Sequence, residues 1–327
     1  MLIEEIELGG SEVGEQPILQ QLSKYGFTVD SSEVDSETVP EVWRLWGTAA
    51  WAFHSATLDA PFIGKTTGEA DERFDQYLSD LGERERPTAP TATEIRGDEI
   101  YLPRVTPRTQ VEYFEVVEDR RTHRRFDDAP VSLRAFSVLM QKTFGPVWFS
   151  HANNMGMVQL RGAASGGARH DTVPYVYIDN VVGIPRGVYE YDELLHAIRP
   201  LPCQIDNGKI VDIIYGQNII DKAAFVIFLT SRVDRLHWKY PHPRAMRVMY
   251  QNSGCIAQLF SMNATALGLG GSMTGAFQDT LLSDLLSLDR DCEIPVFIMG
   301  CGIPRLRDDG LPLRHSHHAG EVSMNGR

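Results

Sequence analysis

Two unbroken apolar runs, Ala224-Phe-Val-Ile-Phe-Leu229 and Pro295-Val-Phe-Ile-Met299, constrain this chain more than any other feature. Neither alternates with polar residues, so each reads as a strand covered on both faces. Between them, Gln251 to Leu267 is small and apolar nearly all round, the pattern of a buried helix. A sheet covered on both sides, with a buried helix in the cover, gives an α+β layer fold.

Other elements fit that frame. Pro174-Tyr-Val-Tyr-Ile178 and Gly187-Val-Tyr-Glu-Tyr191 read as strands separated by the turn signal Gly183-Ile-Pro-Arg186. Upstream, Ser132 caps a helix with Leu133, Phe136, Leu139 and Met140 on one face, and Gly145-Pro146 stops it. Residues 38–58 predict an amphipathic helix with Val42, Leu45, Ala49 and Phe53 on one face and tryptophans 43, 46 and 51 as packing residues. Residues 84–97, rich in proline and threonine, read as a linker. The expected organisation is an acidic segment over 1–36 with a winged-helix-like remnant, a helical region and linker over 37–110, a main domain over 111–304, and a tail over 305–327.

Charge narrows the function classes. The net charge of −13 argues against a general nucleic-acid binder. Residues 1–41 hold ten acids and one base, which is −9 of that total. This segment reads either as a solvated leader or as a surface for a basic partner. No apolar run reaches membrane-span length and no secretory signal opens the chain, so the expected location is cytoplasmic. Cysteines 203, 255, 292 and 301 lack metal-like spacing and read as reduced thiols, with Cys255 and Cys301 in buried segments. The run His315-Ser-His-His318 reads as a polar tail, and no metal site is expected.

Three motifs carry the chemistry. Gly268-Leu-Gly-Gly-Ser-Met-Thr-Gly275 follows a helix and has the wrong spacing for a dinucleotide fingerprint. It is either a helix C-cap with a tight turn or a loop whose backbone approaches a planar cofactor. Arg120, Arg121, Arg124 and Arg125 surround Thr122; forked guanidinium donors suit phosphate oxygens. Ala163-Ala-Ser-Gly-Gly-Ala-Arg-His170 is a small-residue turn leading into a strand.

With Gly187-Val-Tyr-Glu-Tyr-Asp192, Trp238-Lys-Tyr240, Arg244-Ala-Met-Arg247, Gly254 and Gly268-Leu-Gly-Gly271 following in order, the set resembles the nitroreductase-like flavoproteins. Within them it is similar to the SagB-type dehydrogenases of azole-containing peptide maturation. The resemblance covers roughly residues 112–304, and Trp51-Ala-Phe-His-Ser-Ala-Thr57 also looks like the family's leader region. Two positions depart from it: Ala163 and Ala164 stand where proline is common, and the C-terminal phosphate contact falls among Arg305, Arg307 and Arg314, of which Arg314 is chosen.

The resemblance implies a three-layer fold with a mixed or antiparallel central sheet and a homodimer with FMN at the subunit interface. It assigns Arg120, Arg121, Thr122, Arg124 and Arg314 to the phosphate and ribityl chain, and Ser165, Gly167, Gly270 and Gly271 to the isoalloxazine or adjoining chain. Lys239 and Tyr240 map onto the family's catalytic pair. The implied reaction oxidises a thiazoline or oxazoline of a ribosomal precursor peptide, with a cyclodehydratase complex as a partner. A base removes the ring Cα proton while a Cβ hydride passes to the flavin. Both pair members ordinarily titrate near pH 10. Either the Lys239 ammonium favours a Tyr240 phenolate, or burial neutralises Lys239. Neighbours in a strand point to opposite faces, so both reach one flavin only if Lys239 sits in a turn or bulge. Two rival readings stand: an NAD(P)H-dependent reductase of nitro, enone or dehydroamino-acid groups, and a flavin-free peptide-binding scaffold.

Overall fold

The structure, a computed structural model, describes residues 46–58, 76, 79–81, 95–106, 111–151, 156–203 and 205–306. The chain divides into two compact units, residues 1–73 with 240–246, and residues 74–239 with 247–327. The acidic segment over 1–36, the linker up to residue 94, Arg314 and the histidine tail lie outside the described residues.

In the smaller unit, α1 spans Gly47–Ala56. Among its described side chains Ala52 is buried, whereas Ala49, which the sequence places on the apolar face, is exposed. Thr57 closes the helix by donating its hydroxyl to the carbonyl oxygens of Phe53 (2.7 Å) and His54 (3.0 Å). Arg244 Nη1 donates to the Thr57 carbonyl at 2.7 Å, tying the two segments of this unit together.

The larger unit carries β1 (Ile100–Tyr101), α2 (Tyr113–Asp119), α3 (Leu133–Phe144), β2 (Pro146–His151) and β3 (Met157–Arg161). Then follow β4 (Thr172–Ile178), β5 (Gly187–Asp192), β6 (Ala197–Pro200), α4 (Asn207–Ile213), β7 (Phe225–Arg232) and α5 (Val233–Lys239). Last come α6 (Ala245–Ala266, whose first two residues belong to the smaller unit), β8 (Gly270–Thr274), α7 (Asp279–Leu286) and β9 (Glu293–Gly302). Seven strands form one sheet in the order β1-β6-β5-β4-β7-β9-β8, antiparallel at every pairing, and β2-β3 form a separate hairpin.

Strands β4 and β7 lie at the middle of this sheet, and their side chains are buried almost throughout because both faces are covered. On one face, Tyr175, Tyr177, Val226, Phe228 and Ile298 pack with Ile210 and Ile213 of α4 and Leu282, Leu285 and Leu286 of α7. On the other, α3 sets Phe136 edge-on to Phe225 at 5.0 Å, and Phe144 lies 6.2 Å from Tyr191. Each wholly buried phenylalanine contributes roughly 1.5–3 kcal/mol. Ser132 caps α3 as predicted, its hydroxyl accepting from Ala135 N at 3.2 Å.

Three expectations change. Helix α6 is buried on one face only: Asn252, Ile256, Phe260 and Ala264 point inward, while Gln251, Gly254, Cys255 and Gln258 are exposed. Cys255 is therefore accessible, whereas Cys301 is buried; all four cysteines are unbridged. The segment after Gly268 is strand β8 rather than a loop. Gly268 ends α6 at φ +69°, as a C-cap turn requires, and β8 then pairs with β9 from Gly270↔Gly302 to Thr274↔Ile298.

Candidate functional site

The exposed side of α6 forms one wall of an open groove of about 1140 Å³. Val116, Val117 and Arg120 of the α2 region and Gly162, Ala163 and Ala164 after β3 complete it, against Gly254, Cys255, Leu259 and Met262. The lining is mostly apolar and small, with Arg120 as its cationic group, and the groove is large enough for a cofactor-sized ligand. A second cavity, about 240 Å³, lies among Tyr175, Glu190, Arg199, Arg232, Arg235 and Glu293. Several of its charges satisfy internal partners: Arg199 pairs with Asp192 and Glu99, Arg232 with Asp234, and Glu293 accepts from Tyr175 and Thr230. The apolar groove is the better ligand site.

The arginine segment is extended, running from the end of α2 along β8. Thr122 bridges Gly271 in parallel, and His123 N donates to the Gly271 carbonyl at 2.9 Å. Phe126 N reaches Asp221 O (3.2 Å) and Asp127 N reaches Ile303 O (2.9 Å), so the segment is pinned at both ends. Arg120, Thr122 and Arg124 are half-buried. Arg121 is exposed and folds back onto the carbonyls of Glu118 and Arg120. Gly270 and Gly271 hold this segment: a Cβ at Gly270 would stand 2.9 Å from His123 Cβ and Cγ, and one at Gly271 would stand 3.3 Å from Phe260. The space their missing side chains leave is thus filled by protein. His123 Nδ1 is buried without a hydrogen-bond partner, and burial, then Arg121, lowers its pKa, keeping the ring neutral.

Ser165 to His170 forms a tight turn containing a single 3-10 turn at Gly166–Ala168. Gly167, Ala168 and His170 adopt φ of +61°, +51° and +45°. For the two non-glycines this costs about 1–2 kcal/mol each, a cost that persists where surrounding contacts fix the conformation. Those contacts are present: Ala168 N donates to Ser165 O (3.0 Å), His170 N to Ser165 Oγ (2.9 Å), and Gly166 N to Asn252 Oδ1 (2.9 Å). The His170 ring is bound through Nε2 to Gln159 O at 2.8 Å, and burial chiefly drives its pKa down to about 3.

Two arginines clamp this turn to α5. Arg169 Nε donates to Arg235 O at 2.8 Å while its guanidinium lies 4.4 Å above the Trp238 ring. Arg235 Nη1 returns a bond to His170 O at 3.0 Å. Lys239, the last residue of α5, is buried (8% exposed); burial, then the nearby Arg169 charge, lowers its pKa. Tyr240 follows in non-helical backbone, half-buried, as the first residue of the smaller unit's second segment. The pair is therefore at a helix end rather than within a strand, and the boundary between the two units falls between its members.

The pattern Ser-Gly-Gly-Ala-Arg-His drew attention to the turn, but Asn252, Asp171 and Arg235, which hold it, were not read from the sequence. Their only signal is proximity to the motif in the case of Asp171. The other two meet it only in the folded chain.

The family model for "Nitroreductase family" matches residues 117–303, more than half of the chain. The chain belongs to the nitroreductase family. As a member it is an FMN-dependent oxidoreductase of nitroreductase type. It is 26% identical over 204 residues to MJ1384 of Methanocaldococcus jannaschii, named for the same family, covering 62% of this chain and 96% of that protein. It is 24% identical over 252 residues to the trifolitoxin-processing protein TfxB of Rhizobium leguminosarum bv. trifolii, covering 73% of this chain and 66% of that one. A solved nitroreductase-type structure from Ralstonia eutropha JMP134 matches with a TM-score of 0.52 and 19% identity over 71% of this chain and 96% of that one, a likeness of fold. The residues present fit FMN: the groove joins a guanidinium to a small, apolar lining, and Gly167 N–H and the Ser165 hydroxyl proton have no acceptor among the described residues.

Proposed function

We propose that this nitroreductase-family member oxidises azoline rings of a ribosomal precursor peptide to azoles. The observation behind this reading is Lys239: a buried lysine with a lowered pKa, clamped to the small-residue turn through α5, supplies a base that simple hydride relay does not need. Lys239 would take the ring Cα proton, with Tyr240 next to it in the chain as the second proton-handling group. FMN, when bound, would supply the two-electron acceptor that this oxidation needs. Arg120, Arg121, Thr122 and Arg124 would hold its phosphate and ribityl chain, with Arg314 as a further contact. Ser165 and Gly167 would donate to the ring system, and Gly270 and Gly271 would act by fixing the arginine segment against β8. The name of TfxB, a toxin-processing protein, supports a peptide substrate.

The family match and the nitroreductase names of its relatives favour a second reading, an NAD(P)H-dependent reductase. The visible spectrum separates them. Bands near roughly 375 and 450 nm identify oxidised flavin. Bleaching by an azoline-bearing peptide without oxygen supports the dehydrogenase, and bleaching by NADPH alone supports the reductase. No bands after FMN loading would leave neither.

A homodimer belongs to the same proposal. The larger unit exposes Val111, Tyr113, Phe114 and Val117 around α2, and Val147, Trp148, Phe149, Met157 and Leu160 on the β2-β3 hairpin. This much exposed apolar surface marks an interaction face, and a second copy of the chain would cover it. The acidic segment over 1–36 would meet the precursor peptide or its cyclising partner. Deletion of residues 1–36 should then weaken peptide binding, and unchanged affinity would remove that role.

A further inference from the structure

The turn over Ser165–His170 rests on a directed chain of buried polar groups that reaches from β7 to α6. Gly166 N–H donates to Asn252 Oδ1 at 2.9 Å, and a backbone N–H can only donate, so the Asn252 amide has one orientation. Its Nδ2 must then donate to Asp171 Oδ1, 2.6 Å away, and the Ser231 hydroxyl lies 2.5 Å from Asp171 Oδ2. Asp171 is fully buried and accepts at both oxygens. One turn before Asn252, Val248 Cγ1 would stand 2.4 Å from a Cβ at Gly166, so α6 holds this glycine by shape as well as by hydrogen bond.

The consequence lies in which donors remain. Gly166 N–H is taken by Asn252, Ala168 N–H by Ser165 O, Arg169 N–H by Gly166 O (3.3 Å) and His170 N–H by Ser165 Oγ. Ser165 N–H, Gly167 N–H and the Ser165 hydroxyl proton are left among the described residues. We propose that Asn252, held by Asp171 and Ser231, is a positioning residue that fixes the Ser165–Gly167 backbone so that the Gly167 N–H and the Ser165 hydroxyl face the flavin. This rests on the reading of the turn as a flavin contact. A buried carboxylate and two left-handed non-glycine residues are costly features, and packing alone would be served by apolar side chains.

The test uses the full chain, with FMN affinity of the apoprotein and the midpoint potential of the bound flavin as readouts. Asn252→Ala should weaken FMN binding by roughly tenfold or more and lower the potential, since donors to the ring stabilise its reduced, more electron-rich form. Asn252→Asp should do the same by opposing two carboxylates. Adding Asp171→Asn to it should restore both readouts, because the amide introduced at position 171 can donate to the carboxylate introduced at position 252 and still accept from Ser231. Ser231→Ala, a milder change, is read the same way if the first variant does not fold. Wild-type affinity and potential in Asn252→Ala, with only a lower Tm, would make the network merely structural and overturn the inference. Wild-type protein unable to bind FMN would sink the flavin reading and this inference with it; a wild type that binds, beside variants that bind equally, overturns this inference alone.

Discussion

At the scale of single residues, burial makes Lys239 and His170 testable. Lys239→Met keeps the length and removes a desolvated charge, so folding and FMN content should persist while azoline oxidation falls by about 10²–10⁴-fold. The wild-type rate should rise with pH through a Lys239 pKa held below its ordinary value by burial and by Arg169, and that limb should vanish in the variant. An unchanged rate in Lys239→Met would exclude it as the base. His170 tests the fold. Its pKa falls from 6.5 to about 3 on folding, so below pH 6.5 the unfolded chain binds a proton that the folded chain refuses. Relative to His170→Gln, the wild type should lose about 1.4 kcal/mol per pH unit between pH 6.5 and 3, read from denaturant midpoints. A pH-independent difference would mean that His170 titrates normally. The sequence could name Lys239 and His170 but not their surroundings: burial beside Arg169, or under Gln159 O, follows from the clamp between α5 and the turn, which depends on contacts across about 65 residues.

Elements were most legible where one physical pattern dominated. The continuous runs of β7 and β9 and the Ser132-capped stripe of α3 appear within a few residues of their predicted bounds, because burial on both faces and capping leave local signatures. Strand β8 was hidden because Gly270, Gly271 and Ser272 have poor strand propensity; β9 and the Thr122–His123 segment supply the partners that make it a strand. The open face of α6 was hidden because Gly254 and Cys255 are small enough to look like core. Gly270→Ala tests the role given to β8. Its Cβ would collide with His123 and Pro304, so the arginine segment must shift, and FMN binding should weaken at least several-fold while the sheet persists. Fluorescence titration of the apoprotein checks it, and unaltered affinity would detach the arginine segment from the phosphate.

For the molecule as a whole, the decisive question is whether the larger unit works alone. Its α2 helix buries only Val116 and turns Tyr113, Phe114 and Val117 outward, although a seven-residue helix without a side-chain N-cap bond has little stability of its own. Arg120 leaves the end of this helix and lines the groove, so whatever steadies α2 also steadies the cationic side of the proposed flavin site. A second copy packed on this face would do both, and dimerisation and FMN affinity should then be linked. Phe114→Glu with Trp148→Glu, neither of which lines the groove, should convert a dimer to a monomer by sedimentation, and the monomer should hold FMN roughly tenfold more weakly or worse. The linkage runs both ways: FMN must tighten the wild-type dimer by the same factor by which dimerisation tightens FMN. A wild type that stays monomeric at high concentration with FMN bound would refute the dimer. A dimer whose double variant separates yet keeps full FMN affinity would leave the flavin site complete within one chain.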